Sequence, residues 1–223
     1  MNKIKLMYDI AKTMKEKEVF NGFLQVECAK DSTAIFHMEN EFSKNLTSGL
    51  MVAKIKTEMD YQGKTFKHES NTEYTQLSKS QSKGCFRGRH PHFHHRGHGG
   101  LKGLFTGLTL ALDILNRTKV EPQTDNSNLI TLEMNELPKE LQELKQHFME
   151  SHGHGHAHEN HQHGHCLMKE FHELQNPKLI LTAQINKNNE IESVEILLSG
   201  KRQGSLDEGH SLNLKAKLTF INN

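Results

Sequence analysis

Leu181-Thr-Ala-Gln-Ile-Asn-Lys-Asn-Asn-Glu-Ile-Glu-Ser-Val-Glu-Ile-Leu-Leu-Ser-Gly200 reads as two β-strands around a tight turn. Leu179, Leu181, Ala183 and Ile185 alternate ahead of Asn188-Asn189, and Val194, Ile196 and Leu198 alternate behind it. Successive side chains of a strand point to opposite faces, so each of these strands has one apolar face. After a polar loop containing Gly204 and Gly209, Leu212, Leu214, Ala216, Leu218 and Phe220 continue the pattern. A sheet that is apolar on one face only must be covered by other elements.

The N-terminal third repeats this period of two. Phe20, Leu24, Val26 and Cys28 fall on one face, with Gln25 and Glu27 opposite. Beyond the turn at Asp31-Ser32, Ala34, Phe36 and Met38 are expected on one face and Ile35, His37 and Glu39 on the other. Thr47-Ser48-Gly49 precedes Met51, Ala53, Ile55, Met59 and Tyr61, and a hairpin turn at Tyr61-Gln62-Gly63-Lys64 leads to a more polar strand carrying Phe66, His68 and Tyr74. Four such strands joined by short connections read as an antiparallel meander. Two more strands are expected at Lys119–Glu121 and Leu129–Met134, around a polar turn at 124–128.

Helical spacing supplies the cover. Ile4, Met7, Ile10, Ala11 and Met14 predict an amphipathic helix over about residues 3–18. Leu101, Leu104, Leu108, Leu112 and Leu115 form a stripe that Phe105, Leu110, Ala111 and Ile114 widen almost all the way round, which predicts a helix buried on the sheet. Pro138 suits the first turn of a helix bearing Leu141, Leu144 and Phe148, and Leu167, Met168, Phe171 and Leu174 resume helical spacing until Asn176-Pro177. The expected fold is α+β: a single domain over residues 1–223, with a curved, mainly antiparallel sheet of about eight or nine strands packed over helices.

This element order (amphipathic helix, one-sided strands, apolar central helix, closing strands) resembles the half-barrel of bacterial lipoprotein-carrier and lipoprotein-localisation factors and related lipid-binding lipoproteins. The hairpin at 181–200 is similar to the penultimate hairpin of such proteins. The resemblance implies a cavity for an apolar ligand between sheet and helices. The sequence departs from that group in having no export signal or lipobox and in carrying two histidine-rich insertions, at about 84–100 and 151–166.

Those insertions hold twelve of the chain's 17 histidines. The first sets His90, His92, His94, His95 and His98 behind Cys85; the second sets His152, His154, His156, His158, His161, His163 and His165 ahead of Cys166. Almost nothing in either is apolar, so neither packs as an ordinary helix or strand. Neutral imidazole suits Zn, Ni, Cu and Co, and thiolate adds a soft ligand. Gly153, Gly155, Ala157 and Gly164 between the histidines let the chain curl and bring neighbouring rings to one ion. At about four donors per ion, the dozen imidazoles could hold roughly three ions. Ordering so loose a loop costs conformational entropy, which favours a buffer or delivery site over a rigid catalytic centre. Low-complexity drift and a purification tag are the bland readings; the internal position and paired cysteines argue against a tag. Cys85 and Cys166 could share one mixed site, form a disulfide, or be unrelated thiols, whereas Cys28 reads as an inert core residue. His147 and His172 are further candidate ligands; His37, His68 and His210 read as ordinary surface residues.

The formal charge of +1 gives no global field toward nucleic acid or anionic lipid. Arg87, Arg89 and Arg96 interleaved with Phe86 and Phe93 form too short a patch to argue for nucleic-acid binding. No run reaches about 18 apolar residues, so no membrane-spanning helix is expected. The lysine-interrupted N-terminus is no signal peptide and three cysteines make no disulfide framework, so a cytoplasmic protein is expected. No phosphate loop, nucleophile elbow or zinc-protease motif is present, so a binding role is expected ahead of an enzymatic one. The expected function is a soluble protein that buffers, stores or delivers Zn, Ni, Cu or Co through the two tracts. The alternative is a carrier of lipid or another apolar molecule.

Overall fold

A computed structural model describes residues 2–61, 63–75, 110–136, 170–171, 174–202 and 209–221. Among them the strands are β1 (Val19–Lys30), β2 (Thr33–Asn45), β3 (Leu50–Tyr61), β4 (Lys64–Thr75), β5 (Thr118–Pro122), β6 (Asn128–Met134), β7 (Gln175–Ile185), β8 (Ile191–Arg202) and β9 (His210–Ile221). They form one antiparallel sheet in the order β4-β3-β2-β1-β9-β8-β7-β6-β5. The two blocks of one-sided strands read from the sequence are joined at the middle, where β1 pairs with β9 from Asn21↔Ile221 to Lys30↔Leu212. β4 and β5, the two ends of the long connection 76–117, are opposite edges of the sheet.

Helix α1 (Lys3–Glu16) starts where the Asn2 side chain accepts from the amides of Ile4 and Lys5, satisfying two amides that the first turn leaves without partners. It ends two residues short of the expected 18, and the chain turns extended at Lys17. Leu6 and Ile10 face the sheet and pack with Ile130, Ala183 and Ile185, the last only 1 % exposed. The helix is pinned at both ends. The Lys3 ammonium donates to the Thr118 carbonyl at 2.6 Å, and Lys17 pairs with Glu190 at 3.2 Å.

A second cluster gathers Cys28, Ile35, Leu174 and Leu212 at the other end of the same face. Alternation places Ile35 with His37 on the wet face, and this expectation is corrected. The β1–β2 register passes from Cys28↔Phe36 to Ala29↔Ala34, so Ile35 is the extra residue of a bulge and turns into the core at 7 % exposure. Helical spacing through Leu174 is also corrected. Leu174 is followed at once by β7, which begins at Gln175 and skips from Gln175↔Lys201 to Lys178↔Ser199. Asn176 takes φ 46° there, and Pro177, which has no N–H to give a ladder, lies in the irregularity.

The apolar stripe from Leu101 is described only from residue 110, where it is helical through 117 (α2). Its Leu112 is 48 % exposed, so this part is not the fully buried helix expected. The expected helices at 138–148 and 167–168 lie outside the described residues. Those described are mainly β, with helix confined to α1, α2 and residues 170–171.

Candidate functional site

Cys85, His90, His92, His94, His95 and His98 lie outside the described residues. So do His152, His154, His156, His158, His161, His163, His165 and Cys166, together with His147 and His172. Among the described residues, no three His, Cys, Asp or Glu side chains are grouped to hold a metal ion. What is described is how the scaffold holds the chain on either side of each tract.

The first tract follows Thr75, which pairs with Leu50 at the end of the sheet where β1 begins. The second lies between Met134, paired with Leu179, and Glu170, at the end where β1 finishes. Glu170 is 6 % exposed, and its carboxylate is held by Lys30 at 3.5 Å and Arg202 at 3.3 Å. Two cations compensate the removal of this charge from water. Phe171 packs against the Cys28 cluster, and Leu174 is part of it. The chain emerging from the second tract is therefore fixed to β1 and β8 by ion pairs and to the core by apolar contacts.

The same end of the sheet carries a polar arrangement that the sequence reading passed over. Asp31 Oδ2 lies 2.7 Å from His210 Nδ1, while Asp31 Oδ1 accepts from the Ser211 amide at 2.8 Å and the Ser211 hydroxyl at 3.2 Å. The Ser211 amide, followed by His210, holds the Asp31 carboxyl below its usual range. A neutral histidine that donates from Nδ1 to a carboxylate presents its Nε2 lone pair in a set direction, the orientation used by histidine ligands. The two residues are 179 apart in sequence, and only the β1–β9 pairing brings them together.

Cys28 has the expected character: it is 3 % exposed, and burial pushes its thiol up to about 11. His37 lies 3.4 Å from Glu39 and 3.8 Å from Glu27 on the face away from α1, and His68 stacks on Phe66 with ring centroids 6.1 Å apart. A groove of about 680 Å³ crosses five strands at the His37 position. Ile180 and Leu197 lie among its lining, with Glu27, Lys178 and Lys215.

No family model matches the sequence. No curated protein matches it either. Among solved structures, a LolA superfamily protein from Nitrosomonas europaea is similar over 100 % of this chain and 95 % of that chain, at 7 % sequence identity and a TM-score of 0.20. This is a weak resemblance. It transfers no site residue and no activity. No described helix is long and apolar enough to cross a membrane.

Proposed function

We propose that this protein binds transition-metal ions (Zn, Ni, Cu or Co) through its two His/Cys tracts and acts as a non-enzymatic buffer, store or delivery protein, with a half-barrel as scaffold. One observation carries the reading: twelve of 17 histidines fall in two short internal tracts, each with a cysteine at one end. The tethers support it, because a loop held at both ends keeps its donors concentrated and loses less entropy on closing round an ion than a free tail.

The tethers also favour one site per tract over a shared one. Cys166 is four residues before Glu170 and Cys85 ten after Thr75, giving extended reaches of about 14 and 35 Å, against about 40 Å along a twelve-residue strand. A site using both thiols would hold both connections nearly straight. Within the second tract, neighbouring histidines reach one ion without that cost.

Calorimetric titration of the full chain with each metal, beside a variant lacking 84–100 and 151–166, tests the reading. Several equivalents should bind at neutral pH and be lost on deletion. They should also be lost as pH falls through about 6, where protons compete for imidazole. Unchanged binding after deletion would sink it.

A second reading, carriage of lipid or another apolar molecule, is favoured by the sheet face that α1 packs on. Between the two core clusters, Leu24, Val26, Met38, Ile196 and Leu218 are only partly buried. Native mass spectrometry of gently purified protein should then reveal a bound amphiphile, and a protein that carries none and takes none up would remove this reading.

A further inference from the structure

The edge strand β4 has a sequence that is complementary to itself. Every residue of β4 except Ser70 is exposed, including Phe66 at 50 % and Tyr74 at 47 %, and no described strand pairs with its outer side. Exposed edges invite pairing with another chain, and charges on them usually discourage it. Here the charges are ordered along the strand: Lys64 and Lys67 come before Glu69 and Glu73, with Glu73 beyond the midpoint. Antiparallel apposition with a copy of itself therefore sets unlike charges against each other.

We propose that two copies of this chain associate through β4, paired antiparallel about a twofold axis at Ser70, so that the two sheets become one. In this register Lys67 of each copy faces Glu73 of the other, and Phe66 faces Tyr74. The twofold axis stands perpendicular to the sheet, so the faces bearing α1 stay on the same side. The neighbouring symmetric registers are poorer. Centring on Glu69 sets that carboxylate against its own copy, and centring on Asn71 sets Glu69 against Glu73; like charges directly opposite are unfavourable.

The backbone is consistent with the chosen register. The β3–β4 register ends at Tyr61↔Lys64 with two residues between, the spacing at which the closing pair of a hairpin is a hydrogen-bonded one. Even-numbered residues of β4 thus direct their N–H and C=O groups to β3, and odd-numbered ones outward. In the dimer Lys67↔Glu73 and Glu69↔Asn71 become hydrogen-bonded pairs. Phe66↔Tyr74 becomes a non-hydrogen-bonded pair, the kind in which side chains approach most closely. Aromatic and unlike-charge cross-strand pairs each favour association, and the symmetry doubles both.

Sedimentation equilibrium of the full chain, with excess chelator and reductant so that neither metal nor disulfide can join two copies, should give twice the 25.5 kDa chain mass. Asn71→Pro removes an outward N–H without touching the β3 ladder and should yield the monomer. Lys67→Glu or Glu73→Lys should weaken association by about tenfold or more, and the double variant should recover it. The recovery is discriminating because Lys67 also pairs with Glu58 of its own chain at 3.0 Å, a contact the double variant does not restore. Circular dichroism checks that each variant keeps its sheet; should Asn71→Pro unfold, the charge-swap series decides alone. A single 25.5 kDa species at every concentration, or a dimer indifferent to the charge swaps, would overturn the proposal.

Discussion

Leu174 packs directly on Gly200: a Cβ built on residue 200 would fall 3.2 Å from the leucine's own Cβ. This contact seats the chain emerging from the second histidine tract on β8. A strand ordinarily gains from replacing glycine, because a side chain adds packing and removes unfolded-state freedom. Here the added methyl would crowd Leu174, a member of the Cys28 cluster, which would have to give way by a few tenths of an ångström. Gly200→Val should destabilise by about 1–3 kcal/mol through overpacking, and Leu174→Ala by about 2–5 kcal/mol through the cavity it leaves. Urea denaturation checks both, and a neutral Gly200→Val would show that Leu174 is free to move.

Ile35 separates a pattern-based account from the observed bulge. On the wet face its truncation would change little. At 7 % exposure beside Cys28 and Leu212, Ile35→Ala should cost about 2–4 kcal/mol. Thr33→Ala, on an exposed position of the same strand, should stay within about 0.5 kcal/mol.

Asp31 links pH to the closure of the sheet at β1 and β9. Its folded carboxyl is held below the ordinary range by the Ser211 amide and His210. The stabilisation is therefore fully present above about pH 4, where the unfolded carboxyl is also ionised. It is lost as pH falls from there through the depressed folded value. The urea midpoint of the wild type should drop over that window. Asp31→Asn should flatten this part of the profile, since asparagine tolerates the φ of 47° at this turn while carrying no charge. An unchanged acid limb in the variant would place the titration elsewhere.

Cys28 should resist thiol reagents in the folded protein at pH 8. Burial leaves it protonated, with its thiol up to about 11, and the thiolate is the reactive form. Mass mapping after brief alkylation should find Cys28 unmodified until denaturant is added. Rapid native-state labelling there would contradict its place in the core cluster.

The strand pattern was readable because a one-sided sheet leaves a period of two in the sequence. The hairpin at 181–200 shows it most clearly, with Asn189 at φ 61° and the Asn186 side chain accepting from the Asn188 and Glu190 amides in the turn. The period fails at Ile35 and at Asn176-Pro177, where one extra residue enters a ladder; the proline hints at the second slip, and no composition rule marks the first. The candidate metal donors were legible as composition alone, because clustered imidazoles need no fold to be recognised. The Asp31–His210–Ser211 arrangement was not, since its members are ordinary polar residues until β1 meets β9.

By itself, then, the sequence determined the local states: which segments are strands, where hairpins close, and which stretches are rich in metal donors. These follow from side-chain periodicity and residue chemistry over a few neighbours. Tertiary structure decided the rest. It placed the first and last strands side by side, put β4 and β5 on opposite edges, turned Ile35 inward, and set Thr75, ahead of the first tract, and Met134, ahead of the second, at opposite ends of the sheet. Those are long-range pairings, chosen by which apolar faces can be buried together, and no short window of sequence contains both partners.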